Sequence, residues 1–206
     1  MSTHTLVDSG TGGLAPEVAA RWAKLPTANV GDAMQRLGAL SSRIKPVWPG
    51  ATVVGTAYTV WTRAGDNKVL HEALGLAAPG DVLVVNGEGD ETRALLGELM
   101  GERAKVNGLA GFVVDGAVRD AEILGEIGMP VFARAVTPAG PFKNGPGRLG
   151  VTVAIGGVAV SPGDVVLGDS DGVVIVPRAD AETVLAAAEA KFADETARRA
   201  DIKAGR

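Results

Sequence analysis

The sequence contains no cysteine and only two histidines, His4 and His71, among its 206 residues. Disulfides, zinc–thiolate sites and thiol nucleophiles are therefore excluded, and two isolated histidines argue against a histidine-based triad or zinc site. No apolar run reaches the roughly 18 residues that a membrane span needs. The first 13 residues are polar and lack the apolar stretch of a signal peptide. We therefore expect a cytoplasmic protein that has no membrane partner.

Long runs of one charge are also missing. The 20 basic and 24 acidic residues leave a net charge of −4, and no basic cluster offers the footprint of a nucleic-acid-binding protein. With 46% hydrophobic and 21% charged residues, the composition is that of a globular protein rather than a disordered one. The length allows one sizeable core. We expect a flexible, glycine-containing arm over residues 1–13 and a single domain over residues 14–206.

Strand patterns alternate with helical patterns through the middle of the chain. The predicted strands there cover residues 52–63, 82–85, 112–118 and 131–135, and the predicted helices cover residues 27–37, 67–76, 92–106 and 120–127. Short strands follow at residues 151–155, 158–160, 165–167 and 173–176, and a long amphipathic helix runs from residue 181 to about residue 203. We therefore predict an α/β fold, layered around one core, with a long C-terminal helix.

The most informative segment runs from Gly97 to Asp120. It begins with Gly97-Glu98-Leu99-Met100, and an apolar strand then ends at Arg119-Asp120, which twenty residues separate from Glu98. A helix followed by a strand returns the start of the helix to the end of the strand, where ligands of α/β sheets bind. Two carboxylates and a guanidinium can therefore converge on one pocket. Such a set suits a small anionic oxo acid bound through a hard metal ion, Mg²⁺ or Mn²⁺.

Each of these residues also has a purely structural interpretation. Asp120 suits the N-cap of the helix that follows it, and Arg119 could form an ordinary surface ion pair. Gly97 is either a packing glycine inside a continuous helix that begins at Thr92, or the start of a helix turn whose free amides receive a carboxylate. Spacing alone leaves these interpretations open.

Two other segments bear on function. Residues 87–92 follow a strand and precede a helix, as a dinucleotide-binding fingerprint does, but Thr92 replaces the third glycine and the flanking acids would repel a pyrophosphate. Residues 143–148 are predicted to form an exposed loop. Its charges, from Lys143 and Arg148, could also face an anionic substrate at a subunit interface.

The spacing of Glu98 and Arg119-Asp120 resembles that of the RraA-like family, in which an acidic residue, twenty intervening residues and Arg-Asp recur. This family includes class II 4-hydroxy-4-methyl-2-oxoglutarate/4-carboxy-4-hydroxy-2-oxoadipate aldolases. Three further segments are similar, at residues 27–33, 79–85 and 168–177. The resemblance extends from about residue 25 to the C-terminus. It implies a swivelling β/β/α domain, like that of phosphohistidine domains, assembled as a homotrimer or hexamer with active sites between subunits.

The resemblance also implies roles for individual residues. Asp120 would bind Mg²⁺ or Mn²⁺ directly, Glu98 would hold a water on that metal, and Arg119 would bind the keto acid and its enolate oxygen. Amides around Gly97, Leu99 and Met100 would hold the pyruvate-type carboxylate.

A glutamate from a neighbouring subunit's C-terminal helix completes the site in some family members, and Glu195 is the candidate here. Some members also place a second acid three residues after the aspartate of the Arg-Asp pair. This sequence has Ile123 at that position and an acid one residue earlier, at Glu122.

Two functions follow from the resemblance. The first is a metal-dependent lyase that releases pyruvate from a 4-hydroxy-2-oxo diacid, or decarboxylates oxaloacetate through the same enolate. The second is a non-catalytic regulator, as in the family's namesake, regulator of ribonuclease activity A, which inhibits a nuclease by protein contact. Members have also been called demethylmenaquinone methyltransferases, but no nucleotide-type cofactor loop supports that activity here. The acid and the Arg-Asp pair favour the lyase, because a pure binding protein has no need of them.

Overall fold

The computed structural model describes residues 13–206. Apart from Gly13, the predicted flexible arm over residues 1–13 lies outside the described residues. Among residues 13–206, no helix is both long and apolar enough to cross a lipid bilayer.

Four parallel strands form the centre of an eight-stranded sheet: β2 (Val53–Thr62), β3 (Asp81–Asn86), β4 (Gly111–Val118) and β5 (Val131–Val136). Their near-continuous apolar sequences are expected for strands that are covered on both faces. Antiparallel strands extend this centre, namely β1 (Lys45–Pro46) beside β5, β6 (Gly147–Leu149) and β9 (Val165–Asp169) beside β2, and β10 (Gly172–Val176) beside β9.

The sheet is nearly closed, because its two edge strands approach each other. Lys45 in β1 donates a hydrogen bond of 2.6 Å from Nζ to the carbonyl of Asp171, which immediately precedes β10. Asp171 lies in the tight turn between β9 and β10, where Gly172 pairs with Asp169.

Helices and a β-hairpin cover the two faces of the sheet. The helices α3 (Lys68–Ala73), α4 (Glu98–Val106) and α5 (Ala121–Glu126) cover one face of the sheet, and the hairpin of β7 (Val153–Ile155) and β8 (Val158–Val160) covers the other. A second group of helices packs on β9 and β10: α1 (Pro16–Trp22), α2 (Thr27–Ala33) and α6 (Ala181–Lys203). This order of hairpin, sheet and helices confirms the predicted β/β/α fold with its long C-terminal helix.

Two Pro-Gly-Asp turns lead into β3 and β9 with the same hydrogen bonds. In each turn the aspartate carboxylate accepts the backbone N–H three residues earlier, Ala78 to Asp81 at 2.9 Å and Ser161 to Asp164 at 2.8 Å. Both glycines have a φ of 85°, a left-handed conformation that glycine adopts without strain. The turn therefore recurs because it is a stable way to enter a strand.

The predicted helix over residues 92–106 is wrong in its first six residues, since α4 begins at Glu98. The N–H groups of Ala94 and Leu95 donate to the carbonyls of Ala139 and Ala117, and Ala94 forms a parallel bridge with Ala117. These residues therefore pair with β4 and its neighbouring loop rather than with a helical turn. Tertiary hydrogen bonds override the helical pattern of the sequence.

Two other predictions need correction. The helix that starts at Thr27 ends at Ala33 rather than residue 37, because Gln35 and Arg36 have φ values of 57° and 68°, which an α-helix does not allow. Residues 147 and 148, predicted as part of an exposed loop, instead form β6 with Leu149 and pair antiparallel with the end of β2.

Candidate functional site

The predicted site residues converge where β4 ends and α4 begins. Arg119 and Asp120 follow directly after β4, and Glu98 is the first residue of α4. The Arg119 N–H donates to the carbonyl of Leu96 at 3.0 Å, so the chain just before α4 is fixed to the end of β4. The strand and the helix start therefore come together as the spacing predicted.

Asp120 joins the two elements through its carboxylate. Its Oδ2 accepts the backbone N–H of Glu98 at 3.0 Å and lies 3.3 Å from Nε of Arg119. Its backbone is left-handed, with φ 58° and ψ 38°, a conformation that is uncommon for residues other than glycine. The N-cap interpretation is therefore wrong for α5, to which the side chain makes no capping bond. Asp120 instead caps the first amide of α4.

Gly97 is required by close packing against the Arg119-Asp120 pair. A Cβ on Gly97 would lie 2.3 Å from Asp120 Oδ2 and 2.8 Å from Arg119 Cγ, well inside contact distance. Gly97 is the extended N-cap residue of α4, with φ −152° and ψ −162°. The interpretation of Gly97 as a glycine inside a continuous helix is therefore wrong.

A cleft of about 110 Å³ opens beside this pair. Gly97, Leu99, Met100 and Arg119, four of the predicted site residues, line it. The cleft is also lined by residues of two distant segments, Asn67 and His71 near α3, and Pro141 and Lys143 in the loop before β6.

The amides at the start of α4 divide into two groups. The Glu98 N–H is bound by Asp120, and the Met100 N–H donates to the carbonyl of Gly97 at 3.2 Å. Among residues 13–206, no group accepts a hydrogen bond from the N–H of Gly97 or Leu99. Of the amides predicted to bind the carboxylate, those of Gly97 and Leu99 are therefore free to donate to an anion at the helix start.

The cleft is electropositive. The Arg119 side chain is 43% exposed, and Lys143 is exposed on the opposite loop. Burial, together with the positive charges of Lys143 and Arg103, lowers the pKa of His71 below its ordinary value. At neutral pH His71 is therefore an uncharged imidazole that can donate or accept a hydrogen bond. The positive charges near it are those of Lys143 and Arg103.

Asn67 lines the cleft and carries a buried acceptor with no partner among the described residues. Its Nδ2 donates to the carbonyl of Leu95 at 3.0 Å, which fixes the orientation of the side-chain amide. The residue is 4% exposed, yet its Oδ1 has no hydrogen-bond partner among the described residues. A buried polar atom left unpaired is costly, so a ligand or water that donates a hydrogen bond would be stabilised here.

Sequence reasoning missed Asn67 and His71 as cleft residues. Both lie on or beside a predicted helix that carries no catalytic motif, and only the tertiary fold brings them to Arg119. Of the residues on this side of the cleft, the sequence indicates only Lys143, as a charge that could face an anionic substrate. The structure places Lys143 on the cleft.

The residues present fit a hard divalent cation. Both contacts of Asp120 use Oδ2, and its Oδ1 accepts no hydrogen bond from the described residues. Within residues 13–206 no three acidic or histidine side chains form a cluster that could hold a metal. A single carboxylate supplemented by water and substrate oxygens is typical of Mg²⁺, whereas a structural zinc site uses four protein ligands.

Glu195 does not line this cleft in its own chain. It lies on α6, where its Oε2 accepts a hydrogen bond from Asn29 Nδ2 at 2.9 Å and its Oε1 lies 3.7 Å from Lys191 Nζ. These contacts hold it against α2. The role predicted for Glu195 concerns a neighbouring subunit and stays a prediction.

A family profile and a named relative both match this sequence. The profile of the RraA-like family, described as Aldolase/RraA, matches residues 27–175. Over 178 residues the chain is 43% identical to a protein of Halalkalibacterium halodurans named "Putative 4-hydroxy-4-methyl-2-oxoglutarate aldolase", and the match covers 86% of this chain and 85% of that protein.

Solved structures show the same fold. An uncharacterized protein from Pseudomonas syringae pv. tomato superposes with a TM-score of 0.85 at 28% identity, covering 94% of this chain and 91% of that one. Streptomyces coelicolor RraAS2, described as an unusual member of the RNase ES inhibitor RraA protein family, superposes with a TM-score of 0.81 at 30% identity, covering 91% and 98%. The profile match includes the central sheet and the Gly97–Asp120 segment, and the chain therefore belongs to the RraA-like family.

Proposed function

We propose that the protein is a divalent-metal-dependent carbon–carbon lyase that cleaves a 4-hydroxy-2-oxo diacid and releases pyruvate. The observation that carries this proposal is an electropositive cleft that Arg119 and the unpaired amides of Gly97 and Leu99 line, with the Asp120 carboxylate beside Arg119 and bound to the Glu98 amide. The name of the H. halodurans relative supports the same substrate class. Oxaloacetate decarboxylation belongs to the proposal, since it forms the same pyruvate enolate.

The proposed binding mode follows from the donors of the cleft. The substrate's C1 carboxylate accepts the N–H groups of Gly97 and Leu99, which point from a helix N-terminus. The Arg119 guanidinium donates to the 2-oxo oxygen and stabilises the negative charge that develops there as the enolate forms. Asp120, with water and substrate oxygens, would hold Mg²⁺ or Mn²⁺, which when bound supplies several kcal/mol of charge stabilisation to the same oxygens.

The distal part of the substrate faces Asn67 and Lys143. Asn67 Oδ1 accepts the 4-hydroxyl hydrogen, and Lys143 pairs with the second carboxylate. In the reaction the 4-hydroxyl loses its proton and its O–H electron pair forms the C4=O bond of the second product. The C3–C4 bond breaks, and its electron pair becomes the pyruvate enolate, which is then protonated at C3 and leaves as pyruvate. We assign the relay of the hydroxyl proton, through a water, to Glu98, which is partly buried at the start of α4.

Pyruvate release tests this proposal. Purified protein is incubated with 4-hydroxy-4-methyl-2-oxoglutarate or oxaloacetate, with Mg²⁺, with Mn²⁺, or with a chelator, and pyruvate is measured. We expect turnover with either metal and none with the chelator. Absence of metal-dependent turnover on both substrates would contradict the proposal.

The second candidate function is inhibition of a ribonuclease through protein contact. Its support is the relation to RraAS2 and the exposed apolar side chains of Leu99 and Val106, which are 75% and 85% exposed on α4. A binding protein has no need of a carboxylate whose second oxygen stays free beside an arginine. We therefore infer that catalysis is the primary function. We explain the exposed Leu99, next to the cleft, by a second subunit of a homotrimer or hexamer that covers it.

A further inference from the structure

Asp66, in the turn between β2 and α3, is fully buried and satisfies four hydrogen-bond donors with one carboxylate. Its Oδ1 accepts the N–H of Lys68 at 2.9 Å. Its Oδ2 accepts the N–H groups of Asn144 and Gly145 at 2.8 and 2.9 Å, and Nη2 of Arg63 at 3.1 Å. Two of these donors lie 78 and 79 residues away in sequence. The carboxylate therefore joins the turn after β2 to the loop before β6.

The loop that Asp66 holds carries one wall of the cleft. Residues 141 and 143, which line the cleft, lie one to four residues before the two amides that bind Asp66. The backbone on either side of Asp66 continues the attachment, because the Phe142 N–H donates to the carbonyl of Gly65 at 2.8 Å and the Asn67 N–H donates to the carbonyl of Phe142 at 3.0 Å. Asn67, the residue after Asp66, also lines the cleft. One turn thus sets the distance between Asn67 and Lys143.

The charge of Asp66 is essential to this arrangement. Burial acts to raise the pKa of its carboxyl, but the amides of Lys68, Asn144 and Gly145 and the Arg63 guanidinium outweigh burial and bring the pKa below its ordinary value. Asp66 is therefore a carboxylate at neutral pH. An amide in its place would direct an NH₂ group either at Lys68 N–H or at the N–H groups of the loop, so at least one donor would face another donor.

We propose that Asp66 is a positioning residue that fixes the loop of residues 139–146, and with it Lys143, opposite Asn67, so that the cleft binds 2-oxo diacids in preference to 2-oxo monoacids. The preference for diacids rests on the proposed function, whereas the fixing of the loop does not. Asp66 itself does not contact the substrate. Its effect passes through the placement of the Lys143 ammonium.

The test compares Asp66→Asn with a matched control, Asp164→Asn. Asp164 is also a buried aspartate whose carboxylate accepts two backbone amides, those of Ser161 and Arg178, but it does not line the cleft. Binding of 2-oxoglutarate, a diacid without a hydroxyl to cleave, and of pyruvate, a monoacid, is measured by calorimetry with Mg²⁺ present. Hydrogen exchange at the amides of residues 144 and 145 is measured in parallel.

We expect Asp66→Asn to weaken 2-oxoglutarate binding about tenfold, the effect of losing one charge-assisted contact, and to change pyruvate binding less than about twofold. Lys143→Met should give the same pattern, and the double variant Asp66→Asn/Lys143→Met should be no weaker than either single variant, because both changes remove the same contact. Equal loss of diacid and monoacid binding, or additive effects in the double variant, would overturn the proposal.

The exchange measurement separates this proposal from the proposed function. In the wild-type protein the amides of residues 144 and 145 should exchange as slowly as those of β2, and only Asp66→Asn, not Asp164→Asn, should release them. If the wild-type protein binds no diacid, the proposed substrate class fails while slow exchange still supports the fixing of the loop. If Asp66→Asn does not fold, the wild-type measurement decides, since fast exchange at these two amides would refute the role of Asp66.

Discussion

Replacing Asp120 with alanine is expected to lower kcat/KM for pyruvate release by a factor on the order of 10³, because the change removes the predicted metal ligand and frees the Arg119 guanidinium from its orienting partner. The carboxylate also caps the first amide of α4. Loss of such a cap costs about 1 kcal/mol of folding free energy, which leaves the protein folded. Steady-state kinetics at saturating Mg²⁺ and a thermal melt together separate the two effects.

Glu122→Ala is the matched control for Asp120→Ala. Glu122 is an exposed acid in the first turn of α5, two residues beyond Asp120, and it does not line the cleft. Its replacement should leave kcat/KM within about twofold of the wild-type value, as expected for a surface substitution away from the site. Unchanged turnover in Asp120→Ala, or an equal loss in Glu122→Ala, would refute the assignment of Asp120.

Adding a single methyl group at Gly97 is expected to reduce kcat/KM by a factor on the order of 10², since displacement of reacting groups by about 1 Å has effects of this size. The new Cβ would lie 2.3 Å from Asp120 Oδ2 and 3.0 Å from Arg119 Nε, so both side chains must move. The conformation of Gly97 is extended and open to any residue. The loss therefore comes from the displaced side chains rather than from backbone strain.

The control for Gly97→Ala is Gly31→Ala in α2. A Cβ on Gly31 would meet no atom within 4 Å. Alanine there should leave turnover unchanged and raise the free energy of unfolding by up to about 1 kcal/mol, because alanine is the better helix former. Full activity in Gly97→Ala would show that the cleft does not depend on the close packing of Gly97 with Arg119-Asp120.

Much of the fold was predictable from local patterns. The alternation of apolar strands with helical segments predicts the four parallel strands and the long helix α6, because these elements bury continuous faces that the sequence displays. The start of α4 was not predictable in this way. Residues 94 and 95 have a helical pattern, but their amides bind carbonyls of β4 and of the loop before β6. These are contacts between distant parts of the chain, and no local rule anticipates them.

The candidate site, too, was predictable only where it depends on neighbouring elements of the chain. The Glu98 and Arg119-Asp120 spacing predicts their convergence, since it follows from one helix and the next strand. The rest of the cleft includes Asn67 and Lys143, whose segments are joined by the contacts of Asp66 with amides 78 and 79 residues away. Asp66 has no pattern of its own in the sequence, because an aspartate before a helix is most simply interpreted as a turn or capping residue.

We propose above all that the Asp120 carboxylate is the metal ligand of a lyase site. Crystals grown with Mn²⁺ and measured at the manganese absorption edge test it most directly, since manganese scatters anomalously and its position is read without assumptions about activity. We expect an anomalous peak within coordination distance of an Asp120 carboxylate oxygen, beside Arg119 and the start of α4, with Glu195 of a neighbouring subunit facing it. A manganese peak elsewhere in the protein, with none at Asp120, would contradict the assignment of the site.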